Sequence, residues 1–277
     1  MIVRSFRVVA GAAALLAGAA TIAAAHDLFL KPEAFFVQPQ STVRLVVLNG
    51  TFTTNEGAVT RDRLRELTVV GPAGRTAGDT TGWQASGKTT HWVVPVGDAG
   101  TYVFGASLSP KIIALKGSDF NKYLASDGLP DVLAARKAAG ELGVSARERY
   151  AKHVKALVQV GEGGGNSFST PLGYPAELIP LDNPYSIHGT NASVRVRALV
   201  DGAPVPNQVV LAGGHTASGR TIQEHSVRTD ADGVARISIR SPGVWYVKFI
   251  RMVKVPPAAG DSVTHESKWA TLTFAVR

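Results

Sequence analysis

Asn191-Ala192-Ser193-Val194-Arg195-Val196-Arg197-Ala198-Leu199-Val200-Asp201-Gly202-Ala203-Pro204-Val205 is the stretch on which the fold assignment turns. Val194, Val196 and Ala198 alternate with Arg195 and Arg197. A period of two puts the apolar side chains on one face and the arginines on the other, the mark of a half-buried strand. Asp201-Gly202 then reads as a tight turn between Val200 and a second strand at Ala203-Pro204-Val205. The same grammar continues toward the C-terminus. Thr229-Asp230-Ala231-Asp232-Gly233 is a turn, followed by Val234–Ile239. Ser241-Pro242-Gly243 leads into Val244–Phe249, and Trp269–Val276 forms a closing strand. About seven short strands in this compass predict a Greek-key sandwich.

Moving toward the N-terminus, residues 41–49 are β-branched and apolar and close on Gly50. Leu67–Val70, His91–Val96 and Thr101–Phe104 are further short strands separated by Gly-rich turns. They predict a second sandwich. The pattern changes at Lys116. Ser118-Asp119 offers a cap for a helix carrying Phe120, Tyr123 and Leu124, ended by Gly128. Pro130-Asp131 opens another, running through Ala139. Ser145 with Glu148 has capping-box spacing, and Tyr150, Val154, Leu157 and Val158 follow at helical intervals. The expectation is therefore a mostly β protein of two β-sandwich domains of Greek-key, immunoglobulin- or transthyretin-like kind. The first spans 26–175 with an α-helical insert at about 116–160. The second spans 176–277, and its motifs close on themselves, so it is expected to fold alone.

Residues 1–25 read as a Sec signal peptide. Arg4 and Arg7 precede an uncharged run rich in Ala, Leu, Gly and Val, which ends in Ala23-Ala24-Ala25. The alternative, a membrane anchor, fits less well, because the run is weakly hydrophobic and ends in a good cleavage site. No later segment reaches membrane-span length. The expected location is the periplasm, with His26 as the first residue of the exported chain. The chain has 29 basic and 21 acidic residues. The basic ones are scattered singly, which argues against nucleic acid as a partner. There is no cysteine. Disulfides, thiolate metal sites and Cys nucleophiles are thereby excluded.

Several motifs together resemble a known family. They are Ala25-His26-Asp27-Leu28-Phe29-Leu30-Lys31-Pro32, Phe120-Asn121-Lys122-Tyr123-Leu124 with Asp127-Gly128-Leu129, and Glu148-Arg149-Tyr150-Ala151-Lys152 with Lys155-Ala156-Leu157. Leu172-Gly173, Glu177-Leu178-Ile179-Pro180 with Asn183-Pro184-Tyr185, and Lys268–Phe274 complete the set. Over nearly the whole exported chain they resemble the NikM-like proteins, periplasmic components of nickel or cobalt uptake. The second half is also similar to transthyretin-like and carboxypeptidase-regulatory-like sandwiches. The resemblance implies a non-enzymatic protein that binds nickel or cobalt and delivers it to a membrane importer. One position departs from it: Arg251 stands where relatives carry a histidine.

His26 is the sharpest candidate ligand. An N-terminal histidine offers an α-amine and an imidazole to one metal ion, and the amine titrates near pH 8. Nitrogen donors suit nickel and cobalt, and equally copper or zinc. Of the other six histidines, none forms a close sequence pair. His153 reads as a helix-flank residue. His215, His225 and His265 are the candidates to complete the site with His26. Two alternatives stand beside this reading. One is a copper protein with an N-terminal histidine brace, which requires a second histidine opposite the first. The other is a carbohydrate- or protein-recognition module, which requires exposed aromatics from among Trp83, Trp92, Trp245 and Trp269. Asp230-Ala231-Asp232-Gly233 lacks the later acidic ligand of a calcium loop and is expected to be a turn. The Gly161–Gly165 run lacks the Lys-Ser/Thr of a phosphate loop, and no Gly-x-Ser-x-Gly elbow is present.

Overall fold

In a computed structural model, residues 26–187, 192–256 and 262–277 are described. The expected signal peptide and its cleavage motif lie outside these residues, as does His188. The chain is mostly β. The first half contributes β1 (Asp27–Pro32), β2 (Phe36–Val37), β3 (Thr42–Gly50), β4 (Leu64–Gly71), β5 (Gly74–Ala77), β6 (Trp83–Ser86), β7 (Thr89–Pro95), β8 (Gly100–Leu108) and β9 (Lys111–Leu115). Helices α1 (Gly117–Ser126) and α2 (Pro130–Ala138) follow, then β10 (Ala146–Val160). The second half contributes β11 (Ala176–Pro180), β12 (Ala192–Val200), β13 (Ala203–Pro204), β14 (Val209–Thr216), β15 (Thr221–Arg228), β16 (Val234–Ile239), β17 (Gly243–Lys254) and β18 (His265–Val276).

A ten-stranded sheet runs β15-β14-β17-β18-β10-β8-β4-β5, with β2 and β9 also paired to β10. Two four-stranded sheets complete the fold, β1-β3-β7-β6 and β11-β12 with β13 and β16. Side-chain alternation along the central strands shows where the outer sheets sit. Val154, Ala156 and Val158 of β10 pack with Leu28, Leu30, Leu45 and Trp92, under β1, β3 and β7. Leu157, between them, packs with Leu178, Val196 and Ile237, under β11, β12 and β16. Neighbouring residues on a strand point to opposite faces. The two outer sheets therefore cover opposite faces of the central one, which makes two sandwiches sharing a middle layer.

The third helix expected from Ser145 is absent, and its residues form β10 instead. The physical reason lies in the burial. Tyr150, Val154 and Val158 are four apart, a spacing that keeps one face in a strand as well as in a helix. Leu157 supplied the apparent helical step, but it belongs to the opposite core. A strand buried on both faces loses its alternation and imitates a helix. The other two helices form as expected in place. However, α1 begins at Gly117, capped by Lys116 without a side-chain bond, and not at Ser118-Asp119. The turn at Asp230 also forms: its Oδ1 accepts from the backbone N–H of Asp232 and Val234, both at 2.9 Å. Gly233 closes it at φ 72°, a conformation that side chains rarely adopt.

The central sheet crosses the expected boundary at 175–176. Strand β18 pairs antiparallel with β17 and parallel with β10, where Glu148–Ala156 run beside His265–Thr273. The largest core likewise takes Val70, Val103 and Leu157 from before the boundary and Val194, Trp245 and Phe274 from after it.

His153 is a core residue of β10, 2% exposed, and not a helix flank. Its Nδ1 lies 2.9 Å from Ser107 Oγ and its Nε2 has no partner among the described residues. Burial pulls its pKa down to about 4. The folded pKa lies below the unfolded one, so the unfolded chain binds the proton more readily. Stability from this group is full above about pH 6.5 and is lost as pH falls toward 4. Urea unfolding from pH 7 to 4 should show a decline that flattens by up to about 3 kcal/mol in His153→Gln. Parallel curves for the two proteins would show that His153 does not titrate on unfolding.

Candidate functional site

The start of β1 is fastened to three strands of the central sheet. Lys152 of β10 donates to the His26 carbonyl. Lys248 of β17 meets Asp27 Oδ2 at 2.6 Å, and Thr271 of β18 donates to the Leu28 carbonyl at 2.9 Å. These contacts hold His26 over the seam between the β1 sheet and the central sheet.

The His26 ring reaches the loop after β3. Its Nε2 lies 2.9 Å from Glu56 Oε2, with side chains 30% and 45% exposed. That loop folds back because Gly50 has no side chain: a Cβ there would sit 2.3 Å from the Thr54 carbonyl oxygen. The Glu56 N–H then donates to the Asn49 carbonyl at 2.9 Å, which fixes Glu56 beside β1. Next to His26 is a cavity of about 150 Å³, lined among others by Arg63, Lys111, Tyr150 and Lys152.

A buried polar cluster lies behind Lys152. Lys248 sits between Asp27 and Glu224, the latter at 3.4 Å, and Tyr246 donates to Glu224 at 2.8 Å. Glu148 is 1% exposed and accepts from Tyr123 at 3.1 Å and from Ser267, which in turn accepts from the Trp269 indole at 2.9 Å. Burial raises the Glu148 carboxyl despite these donors. Burial and the Asp27 charge push Asp127 up to about 7. Burial pulls Lys152 down to about 8, against the attraction of Asp27 and Glu148. Among the described residues, Asp27 Oδ1 and Glu148 Oε2 have no hydrogen-bond partner.

The other candidate histidines take up separate positions. His215 stacks on Phe52, with ring centroids 5.8 Å apart and an interplanar angle of 10°. His225 meets the Trp245 ring edge-on at 6.5 Å. His265 packs on Phe120 at 4.9 Å, bonds Thr264 through Nδ1 at 2.9 Å, and is lowered to about 4 by burial. The residue brought to His26 is thus Glu56, and not a second histidine. Arg251 lies on the opposite face of β17 from Lys248, since the two are an odd number of residues apart. Among the described residues, no three His, Asp or Glu side chains form a group able to hold a metal ion. Trp83, Trp92, Trp245 and Trp269 are all at most 2% exposed, so none offers a recognition surface.

The architecture and this site define a β-sandwich protein with a ligand-sized cavity at the start of its first strand. The chain belongs to a family described as a domain of unknown function (DUF4198), whose model matches residues 23–252. No curated protein matched the chain. Among the described residues, no helix is long and apolar enough to cross a membrane.

Proposed function

We propose that the chain is an exported, non-enzymatic periplasmic protein that binds a transition metal at His26 and presents it to a membrane importer. The carrying observation is the 2.9 Å approach of Glu56 Oε2 to His26 Nε2. Cleavage after Ala25 frees the His26 amine. Amine and imidazole Nδ1 then chelate from one residue, while the Glu56 carboxylate on Nε2 orients the ring from outside, an arrangement that suits first-row divalent metals. The likeness to nickel and cobalt uptake components supports nickel or cobalt as the cargo; copper and zinc share the donor preference. A histidine brace is disfavoured because His215, His225 and His265 pack on Phe52, Trp245 and Phe120 and not beside His26. A carbohydrate module is disfavoured by the burial of all four tryptophans.

Titration calorimetry with Ni(II) and Co(II) tests the reading on four proteins. They are the chain starting at His26, the same chain with one added Met, His26→Ala and Glu56→Gln. Loss of one donor should weaken binding about 10–100-fold or more, given that even outer-shell losses weaken metal sites that far. Binding should also weaken as pH falls, because protons compete for the same nitrogens. Equal affinity in all four proteins would place any metal elsewhere.

A further inference from the structure

We infer that the cavity beside His26 is a binding site for a small oxyanion, a phosphate or short carboxylate held by Arg63, Lys152 and Lys111. The inference is independent of the metal reading, since it rests on other side chains. The lining contains three cationic residues, the His26 imidazole and the Tyr150 hydroxyl, and no acidic side chain. Five carboxylates lie around it, among them Asp27, paired with Lys248, and Asp127, both of which act on Lys152 from behind. Glu56 is engaged with His26. Asp62 is fully exposed beside Arg63 and Lys111. Glu148 is occupied by Tyr123 and Ser267 behind Lys152.

The donors are only partly used. Arg63 gives one Nη2 proton to the Ser109 carbonyl at 2.9 Å and also bonds the Tyr150 hydroxyl, while its Nε is buried without an acceptor among the described residues. Buried donors are almost always paired, so an idle guanidinium Nε in a cavity wall points to an acceptor that arrives from outside. Lys152 spends one proton on the His26 carbonyl, and its ammonium has three to give. Its Nζ lies over the ring faces of Trp269 and Tyr150, at 4.8 and 5.2 Å from their centroids, which fixes where the charge sits. Lys111, exposed at the start of β9, closes the rim. A planar guanidinium beside a fixed ammonium is the donor geometry that oxyanions select. At roughly 30 Å³ per water, 150 Å³ admits a group of about five heavy atoms and excludes a nucleotide.

Calorimetry at low salt on the metal-free chain starting at His26 tests this, with inorganic phosphate and with succinate as separate titrants. One-to-one saturable binding of either supports the site, and the tighter titrant names the source. Arg63→Gln should weaken that binding about tenfold or more, and Lys111→Ala about threefold, as loss of a charge-assisted bond and of a rim charge imply. The chain with one added Met keeps every lining side chain and should leave it within about twofold, whereas metal affinity would collapse; the two readings therefore fail separately. Thermal melts confirm that the variants fold, and Arg63→Lys should retain part of the affinity. Failure of both anions to saturate at millimolar concentration, or an unchanged affinity in a folded Arg63→Gln, would overturn the proposal.

Discussion

Replacing Glu177 by leucine will destabilise the protein by about 3–5 kcal/mol, more than any surface change. Glu177 pairs with Lys155, and the two side chains are 2% and 3% exposed. The Glu177 carboxylate also accepts from the backbone N–H of Leu172 and Tyr174, each at 2.8 Å. Removing it leaves an ammonium buried in β10 with no counter-charge and two buried donors without acceptors. Burial already depresses the Lys155 pKa, and Glu177 is what opposes that. Lys155→Met should be comparably harmful, because it strands the carboxylate. The double variant, which buries neither charge, should recover about 2 kcal/mol or more relative to the sum of the singles. Urea unfolding of the four proteins measures this, and strictly additive losses would mean the pair is not coupled.

A fragment of residues 176–277 is expected not to unfold cooperatively on its own. It contains eight strands and a sandwich pattern, which is why its sequence promises autonomy. In the whole protein, β18 is an interior strand with β10 along one side over nine residue pairs. Cutting at 176 turns that side into a long free edge, a template for self-association. It also strips Leu157, Phe168, Leu172 and Tyr174 from the shared core. Adding the complementary fragment 26–175 should restore a sharp transition. A monomeric fragment with a steep unfolding curve would show that the second sandwich is self-sufficient.

Most strands were legible because one of their faces is wet or their ends carry turn residues. Val234–Ile239 forms β16 with the very limits read from its sequence. Strand β10 was not legible, since both its faces are covered and its apolar spacing fits two periods. The site was half legible. His26 stood out through the cleavage motif before it. Glu56 gave no signal, because it sits in an aperiodic loop whose return depends on Gly50. Lys155 and Lys248 did give one: each interrupts an apolar run, and a lysine there is buried with a partner or beside a ligand. His215, His225 and His265 are false signals, because a histidine packed on an aromatic ring looks the same in sequence as a ligand.

The anchoring of β1 also fixes an order of events. Asp27 and Leu28 are bonded to Lys248 and Thr271, partners 221 and 243 residues later in the chain. Strand β1 can pair early with β3, but its anchors on the central sheet stay open until the last strands are present. Such long loops close slowly, and until they do β1 is held by β3 alone, without its bonds to the central sheet. The protein should pass through a long-lived intermediate with a loose N-terminus, protease-sensitive at β1 while the rest is protected. Binding competence at His26 should then be the last property gained on refolding, lagging behind the recovery of β-sheet circular dichroism.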